Sequence, residues 1–414
     1  MRDLALVLSF VFFLPLSIPF PFTGVLVWGW LSLMNPHREV YGFALGQPFN
    51  FAVAVVTIGA WLFSREPKRF PPGALPWLMV AFAIWMTLNS FFAVDPSWSW
   101  PLWERTIKIF VFVFLVMMMM NSKARIHAMV WVVVLSIGYF GVKGGLFTIA
   151  SGGGARVFGP PDSILSDNNQ LAVAIGAALP LVNYLRMHTA NRWLRWGLAA
   201  AMAIQVITIF GTYSRGGVIA LAAGASVFWL RSRHKMLYLT VGAVVLVAGL
   251  SVMPDSFWER MGSIGNAAQD SSFMGRVYAW RAALYYAIDH FPLGAGFAGP
   301  QLNAVFNHYF PDVGTHAAHS IYFQVLGEHG FPALGLYLLI IASAFRNTFV
   351  TIRHLRDRPG YGWAGDLARM SQVSLVTFCV GGGALSMAYY DGFFITVALT
   401  SALRVLSDPE SEKN

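Results

Sequence analysis

A succession of apolar runs, at 4–34, 49–63, 74–92, 107–120, 127–150, 171–185, 198–210, 218–230, 236–253, 333–350, 370–387 and 393–403, fills most of the chain and leaves mainly short polar connections. Lipid offers no partner to backbone polar groups, so each run has to pair its own as a helix. The chain therefore reads as an all-α, polytopic integral membrane protein. Its composition agrees: 57% of the 414 residues are apolar and 11% charged, against about 25% charged in soluble domains. A soluble globular fold is excluded. The single cysteine, Cys379, lies inside an apolar run, so neither an intrachain disulfide nor a thiolate metal cluster can be built. A net charge of +9 without a basic, aromatic-interleaved tract points to loop anchoring at a membrane and to no nucleic acid.

Several runs are near the lower limit of roughly 17 to 25 residues for a span, so their polar flanks belong to the interface. Alternate connections carry the basic residues: Arg65, Lys68 and Arg69; Lys123 and Arg125; Arg186, Arg192 and Arg195; Arg231, Arg233 and Lys235; Arg353, Arg356 and Arg358. The positive-inside rule puts these in the cytoplasm and the other connections, including the long one at 254–318, on the outer side. The first run has no cleavage-site pattern and is kept as a membrane anchor. It holds Pro15, Pro19 and Pro21, which break helices. One broken span gives about twelve crossings with both ends of the chain inside, and two short spans give about thirteen. The former is the expected arrangement. Residues 1–414 read as one membrane domain without a transporter-like repeat, and 254–318 as a loop with short helices that forms part of the active site.

The informative charges are cations that the rule does not put on the outer side: Arg105, Lys108, Arg156, Arg215, Arg276 and Arg281, with Lys143 inside a span. Acids nearby are too few to pair with all of them, and the arginine fork fits a pair of phosphate oxygens. An anionic, phosphorylated substrate on the outer side is the expectation. Arg215 sits in Tyr213-Ser214-Arg215-Gly216-Gly217, a turn between spans; the competing reading is a side chain snorkelling to lipid headgroups. Residues 276–288 predict an amphipathic interfacial helix that begins after Gly275 and stops before Pro292. Arg276 and Arg281 point to different sides of it, so one of them is structural. Arg276, at the predicted helix N-terminus where the dipole favours anions, is the expected ligand and Arg281 a supporting residue.

Four histidines, His308, His316, His319 and His329, fall in or just after the loop, and histidine moves protons near neutral pH. Zinc is the competing reading of His316 and His319, but the chain has no His-Glu-x-x-His motif. Glu328 and Asp289 form a conceivable glycosidase carboxylate pair whose separation the sequence does not fix. Without a Walker A loop, a Gly-x-Ser-x-Gly elbow or an aspartate-rich metal motif, no nucleotide-driven reaction and no cofactor is indicated.

The order of Tyr213 to Gly217, then Arg276 to Arg281 with Pro292-Leu293-Gly294-Ala295-Gly296, then His319-Ser320-Ile321-Tyr322 and Gly327-Glu328-His329-Gly330, resembles the O-antigen ligase (WaaL) and O-antigen polymerase (Wzy) superfamily. The first fifty or so residues also look like the exosortase-associated O-glycosylation ligase branch. The resemblance implies a bacterial inner-membrane glycosyltransferase of lipopolysaccharide biosynthesis with a periplasmic active site. It would transfer a polysaccharide from undecaprenyl pyrophosphate to a lipid A core hydroxyl, inverting and without metal. By position, His319 matches the family's catalytic histidine, and Arg215, Arg276 and, less closely, Arg156 match its arginines. His316, Arg281 and Lys143 are possible supporting residues. Partners implied are the lipid-linked polysaccharide, the lipid A core acceptor and membrane lipids. An O-antigen polymerase or a protein O-glycosylation ligase would use the same donor. A lipid-linked sugar transporter needs a charged path into the cytoplasmic half, whereas the unusual cations cluster outward.

Overall fold

The computed structural model describes residues 1–66, 68–232, 234–251, 253–262, 271–356 and 358–407; Arg233 and part of the 254–318 loop lie outside the described residues. Among the described residues there are sixteen α-helices and no strand. They are α1 (Arg2–Leu16), α2 (Pro21–Met34), α3 (Phe49–Phe63), α4 (Ala74–Ser90), α5 (Pro96–Met119), α6 (Lys123–Ala150), α7 (Asn168–His188), α8 (Arg192–Gly211), α9 (Arg215–Arg231), α10 (Lys235–Leu250), α11 (Asp255–Gly262), α12 (Ser271–Asp289), α13 (Asn303–Tyr309), α14 (Ile321–His354), α15 (Gly362–Gly382) and α16 (Asp391–Leu406). α6, α7, α8 and α14 are by themselves long and apolar enough to cross a membrane, and α2, α3, α4 and α10 are shorter apolar helices. This is the architecture of a polytopic membrane protein.

Local chemistry fixes where helices start. Asp95, Ser122, Asp167, Asn191 and Ser214 each accept a bond from a backbone N–H of the first turn that follows, the role of an N-cap oxygen. α7 and α16 are the central elements, buried nearly all round, which is why their sequences are apolar on every face rather than on one stripe.

The first apolar run is two helices, not one broken span. Asp3 accepts from the backbone of Gly42 and Ala44 at 3.0 and 3.1 Å, so the start of α1 lies against the segment that follows α2. That segment in turn reaches α6 through Glu39–Lys143 (3.1 Å) and the loop after α6 through Arg38–Asp162 (3.6 Å). α1 and α2 are therefore an antiparallel pair, as in the two-span alternative for the first run. The physical reason is the break itself: Pro21 supplies the first residue of α2 and Phe20 leaves the helical region, so the chain reverses there.

α14 is also two pieces. Gly330 has φ 76° and ψ −178°, a left-handed conformation that breaks the helix after its third turn. The break is filled by the segment 292–296: Ala295 and Gly296 donate to the carbonyls of Gly327 and Glu328 at 2.9 and 2.8 Å. Asn89 from α4 closes the junction, donating to the Glu328 carbonyl and accepting from Gly294 N–H, both at 2.8 Å. Two glycine-rich motifs far apart in sequence are thus one structural unit.

Candidate active site

The site is assembled at the bundle end where α6, α8, α10 and α15 finish and α7, α9, α14 and α16 begin. Its centre is His319, immediately before α14, with a left-handed backbone (φ 41°). Three directions fix it. Trp280 on α12 donates its indole N–H to the Ala318 carbonyl at 2.6 Å and stacks on Phe323 with ring centroids 5.3 Å apart. Ser320 is the N-cap of α14, its carbonyl accepting from Gln324 N–H at 2.7 Å. The His319 N–H itself donates to Ser386 Oγ at 2.9 Å, in the turn between α15 and α16.

Arg276 follows from the same contact with α12. It lies four residues before Trp280, hence on the same helix face, and its charge acts on His319. Arg281, one residue further round, is exposed. Of the two arginines, Arg276 is the one whose charge reaches His319. The reason given from sequence does not hold: α12 begins at Ser271, so Arg276 lies in the second turn, beyond the reach of the N-terminal dipole. His316 lies against the same helix, since a Cβ added at Gly275 would meet its ring at 2.8 to 3.0 Å.

Arg215 is the first residue of α9, behind a turn in which Tyr213 is left-handed (φ 58°) and donates its hydroxyl to the Gly153 carbonyl at 2.6 Å. The Arg156 guanidinium lies 5.6 Å from the Tyr213 ring centroid, so the loop after α6 and the start of α9 are neighbours. Val157 N–H donates to Gly211 O at 3.0 Å and holds them so. The first turn of α7 ties these parts to the histidine. Asn168 donates to Thr212 O at 2.6 Å, Gln170 donates to Ser386 O at 2.8 Å, and the Asp167 carboxylate acts on His319.

His319 is the titratable side chain at the centre of this group. Burial lowers its pKa below the ordinary histidine value, Arg276 and His316 lower it further, and Asp167 opposes them. Burial and the neighbouring positive charge thus favour the neutral imidazole, the state a proton acceptor needs.

Three other cations singled out from the sequence find structural partners. Lys108 pairs with Glu104 one turn away, Arg105 acts on Asp391, and Lys143 on α6 pairs with Glu39 at 3.1 Å. Lys143 was expected to be a costly charge within a span; the segment after α2 supplies its counter-ion. The four histidines do not converge. His329 is fully buried against Asn89 (3.2 Å) and Phe297, and His308 is exposed on α13. Nor do the two acids pair. Glu328 is buried and accepts from Tyr389 at 2.7 Å and Ala298 N–H at 3.1 Å, while Asp289 accepts from Tyr309 at 2.7 Å. Among the described residues no three metal-ligating side chains converge.

The sequence does not single out Asp167, Gln170 or Ser386. All three act through contacts between segments that no local pattern announces.

Fold and site define an integral membrane protein with an arginine- and histidine-bearing site at one end of its helical bundle. Residues 198–338 match the Wzy_C family model, described as O-Antigen ligase, and residues 1–190 match DUF5935, a family of unknown function. No curated protein matches the chain. The Wzy_C domain contains Arg215, Arg276 and His319; Arg156, Asp167 and Gln170 fall in the DUF5935 part, and Ser386 in neither.

Proposed function

We propose that the chain is an O-antigen ligase that transfers a polysaccharide from undecaprenyl pyrophosphate to a sugar hydroxyl of lipid A core on the periplasmic side of the inner membrane. The observation that carries this reading is the placement of His319 beside Arg276, joined through one turn to the helix start that bears Arg215. The basic connections at the opposite end of the bundle support the orientation.

In the reaction, His319 accepts the proton of the acceptor hydroxyl as its oxygen attacks the anomeric carbon. The new C–O bond forms as the bond to the pyrophosphate oxygen breaks from the opposite face, so the anomeric centre inverts. The electron pair leaves on the lipid pyrophosphate, where Arg215 and Arg276, with Arg156 at the rim, stabilise it. Fixed guanidinium groups in a partly desolvated site are worth more than mobile counter-ions in water, because they need no reorganisation as charge develops. The lipid tail stays in the bilayer and the glycan in water.

The test is transfer by the purified protein in liposomes, with an undecaprenyl-pyrophosphate-linked glycan as donor and lipid A core as acceptor. Glycosylated core from the wild type and none from His319→Ala, which still binds donor, is the expected result. Lengthened donor-linked chains would move the reading to a polymerase, and labelling of an added protein would move it to a protein O-glycosylation ligase. No product with any acceptor would sink it.

A further inference from the structure

We propose that Ser386, in the turn between α15 and α16, is a positioning residue that holds His319 in its working geometry and sets its distance from the arginine at the start of α9. The inference rests on the glycan-transfer reading for its catalytic consequence, but its structural part stands on hydrogen bonds alone.

A left-handed backbone at a residue other than glycine persists only where surrounding contacts over-determine it. His319 is such a residue. Its neighbours are held from two sides, Ala318 by Trp280 and Ser320 by the first turn of α14, and neither bond reaches the His319 peptide unit's own N–H. That group is taken by Ser386 Oγ at 2.9 Å. Without the hydroxyl, the N–H of a half-buried residue would lack an acceptor, and the left-handed conformation would lose the contact that favours it over its alternatives.

Ser386 can serve as an anchor because its turn is itself immobilised. Gln170 donates to the Ser386 carbonyl at 2.8 Å. Ala388 N–H donates to Gln324 Oε1 at 3.1 Å, Tyr389 donates to Glu328 at 2.7 Å, and Tyr337 donates to the Ala388 carbonyl at 3.2 Å. The same turn borders the start of α9: a Cβ added at Gly216, next to Arg215, would lie 3.9 Å from Ala384. One rigid turn therefore touches both the base and the segment carrying a donor-binding arginine. Displacing a catalytic group by about 1 Å can cost on the order of a hundredfold in rate.

The experiment compares wild type, Ser386→Ala, Ser386→Thr and Gln170→Leu in liposomes. It measures kcat and donor KM for glycan transfer, and also amide hydrogen exchange across residues 313–325. Ser386→Ala is expected to lower kcat by about 10- to 100-fold with donor KM unchanged, and to speed exchange at the His319 amide. Ser386→Thr, which keeps the hydroxyl, restores both, and Gln170→Leu gives a smaller change of the same kind. If Ser386→Ala does not fold, Gln170→Leu carries the comparison. Unchanged rate and exchange in the variants, equal loss in Ser386→Thr, or a loss confined to donor KM would overturn the assignment. A wild-type chain that transfers no glycan would refute the reaction, and the exchange data would still decide the role of Ser386.

Discussion

His319 draws its character from opposing neighbours, and this makes the site testable by titration. Burial, Arg276 and His316 depress its pKa, whereas Asp167 raises it. A base must be neutral to act, so the acid limb of the rate profile follows this pKa and lies below the ordinary histidine range. Removing a charge that lowers the pKa must move the limb up, and removing one that raises it must move the limb down. At saturating donor, Arg276→Gln is therefore expected to shift the acid limb of kcat to higher pH, and Asp167→Asn to lower pH. A pH–rate series on both variants checks the pair. Shifts in the same direction would show that the limb does not belong to His319. His319, Arg276 and Arg215 stand out in the sequence because each is an unusual residue for its place in a membrane chain. Asp167 could not be assigned this way: an aspartate before a helix reads as a cap, which it also is.

Helices were the legible elements, and their interruptions were not. The runs at 49–63 and 127–150 coincide with α3 and most of α6, since hydropathy decides them without help from neighbours. The break at Gly330 depends on the distant segment 292–296 filling it, and only tertiary contact gives that. Gly330→Ala should be severe. Its left-handed φ disfavours a side chain, and the added Cβ would meet the Pro292 carbonyl oxygen at 2.2 Å. A loss above about 2 kcal/mol is expected, read as a fall in the yield and melting temperature of folded protein. A milder effect is expected at the other end of the bundle. There Arg125 on α6 grips Glu66 with two bonds, 2.8 and 2.6 Å, and holds its carboxyl below the usual carboxylate range. A depressed folded pKa contributes stability above the unfolded value, and the contribution is lost as pH falls through the folded one. Glu66→Gln should cost about 1 to 3 kcal/mol near neutral pH. The difference from wild type should vanish in acid, as thermal melts between pH 3 and 7 would record.

How the chain threads the bilayer follows from two weak signals that disagree until the structure relates them. Loop charge assigns the sides, but the first apolar run carries too few charges on its flanks for that rule to say whether it crosses once or twice. The bonds from Asp3 to Gly42 and Ala44 put the start of α1 with the segment after α2. That segment in turn lies with the loop that carries Arg156, through Arg38 and Asp162. The start of α1 and the histidine site must therefore face the same compartment, and the α9–α10 connection the opposite one. With Cys379 replaced by serine, single cysteines at Arg2, Gly314 and Ser232 test this directly. A membrane-impermeant maleimide added to intact spheroplasts should label Arg2→Cys and Gly314→Cys and leave Ser232→Cys unlabelled until the cells are lysed. Labelling of Gly314→Cys without Arg2→Cys would restore the single broken span. Labelling of Ser232→Cys alone would invert the orientation and place His319 and its arginines in the cytoplasm, where the proposed donor and acceptor could not both be reached.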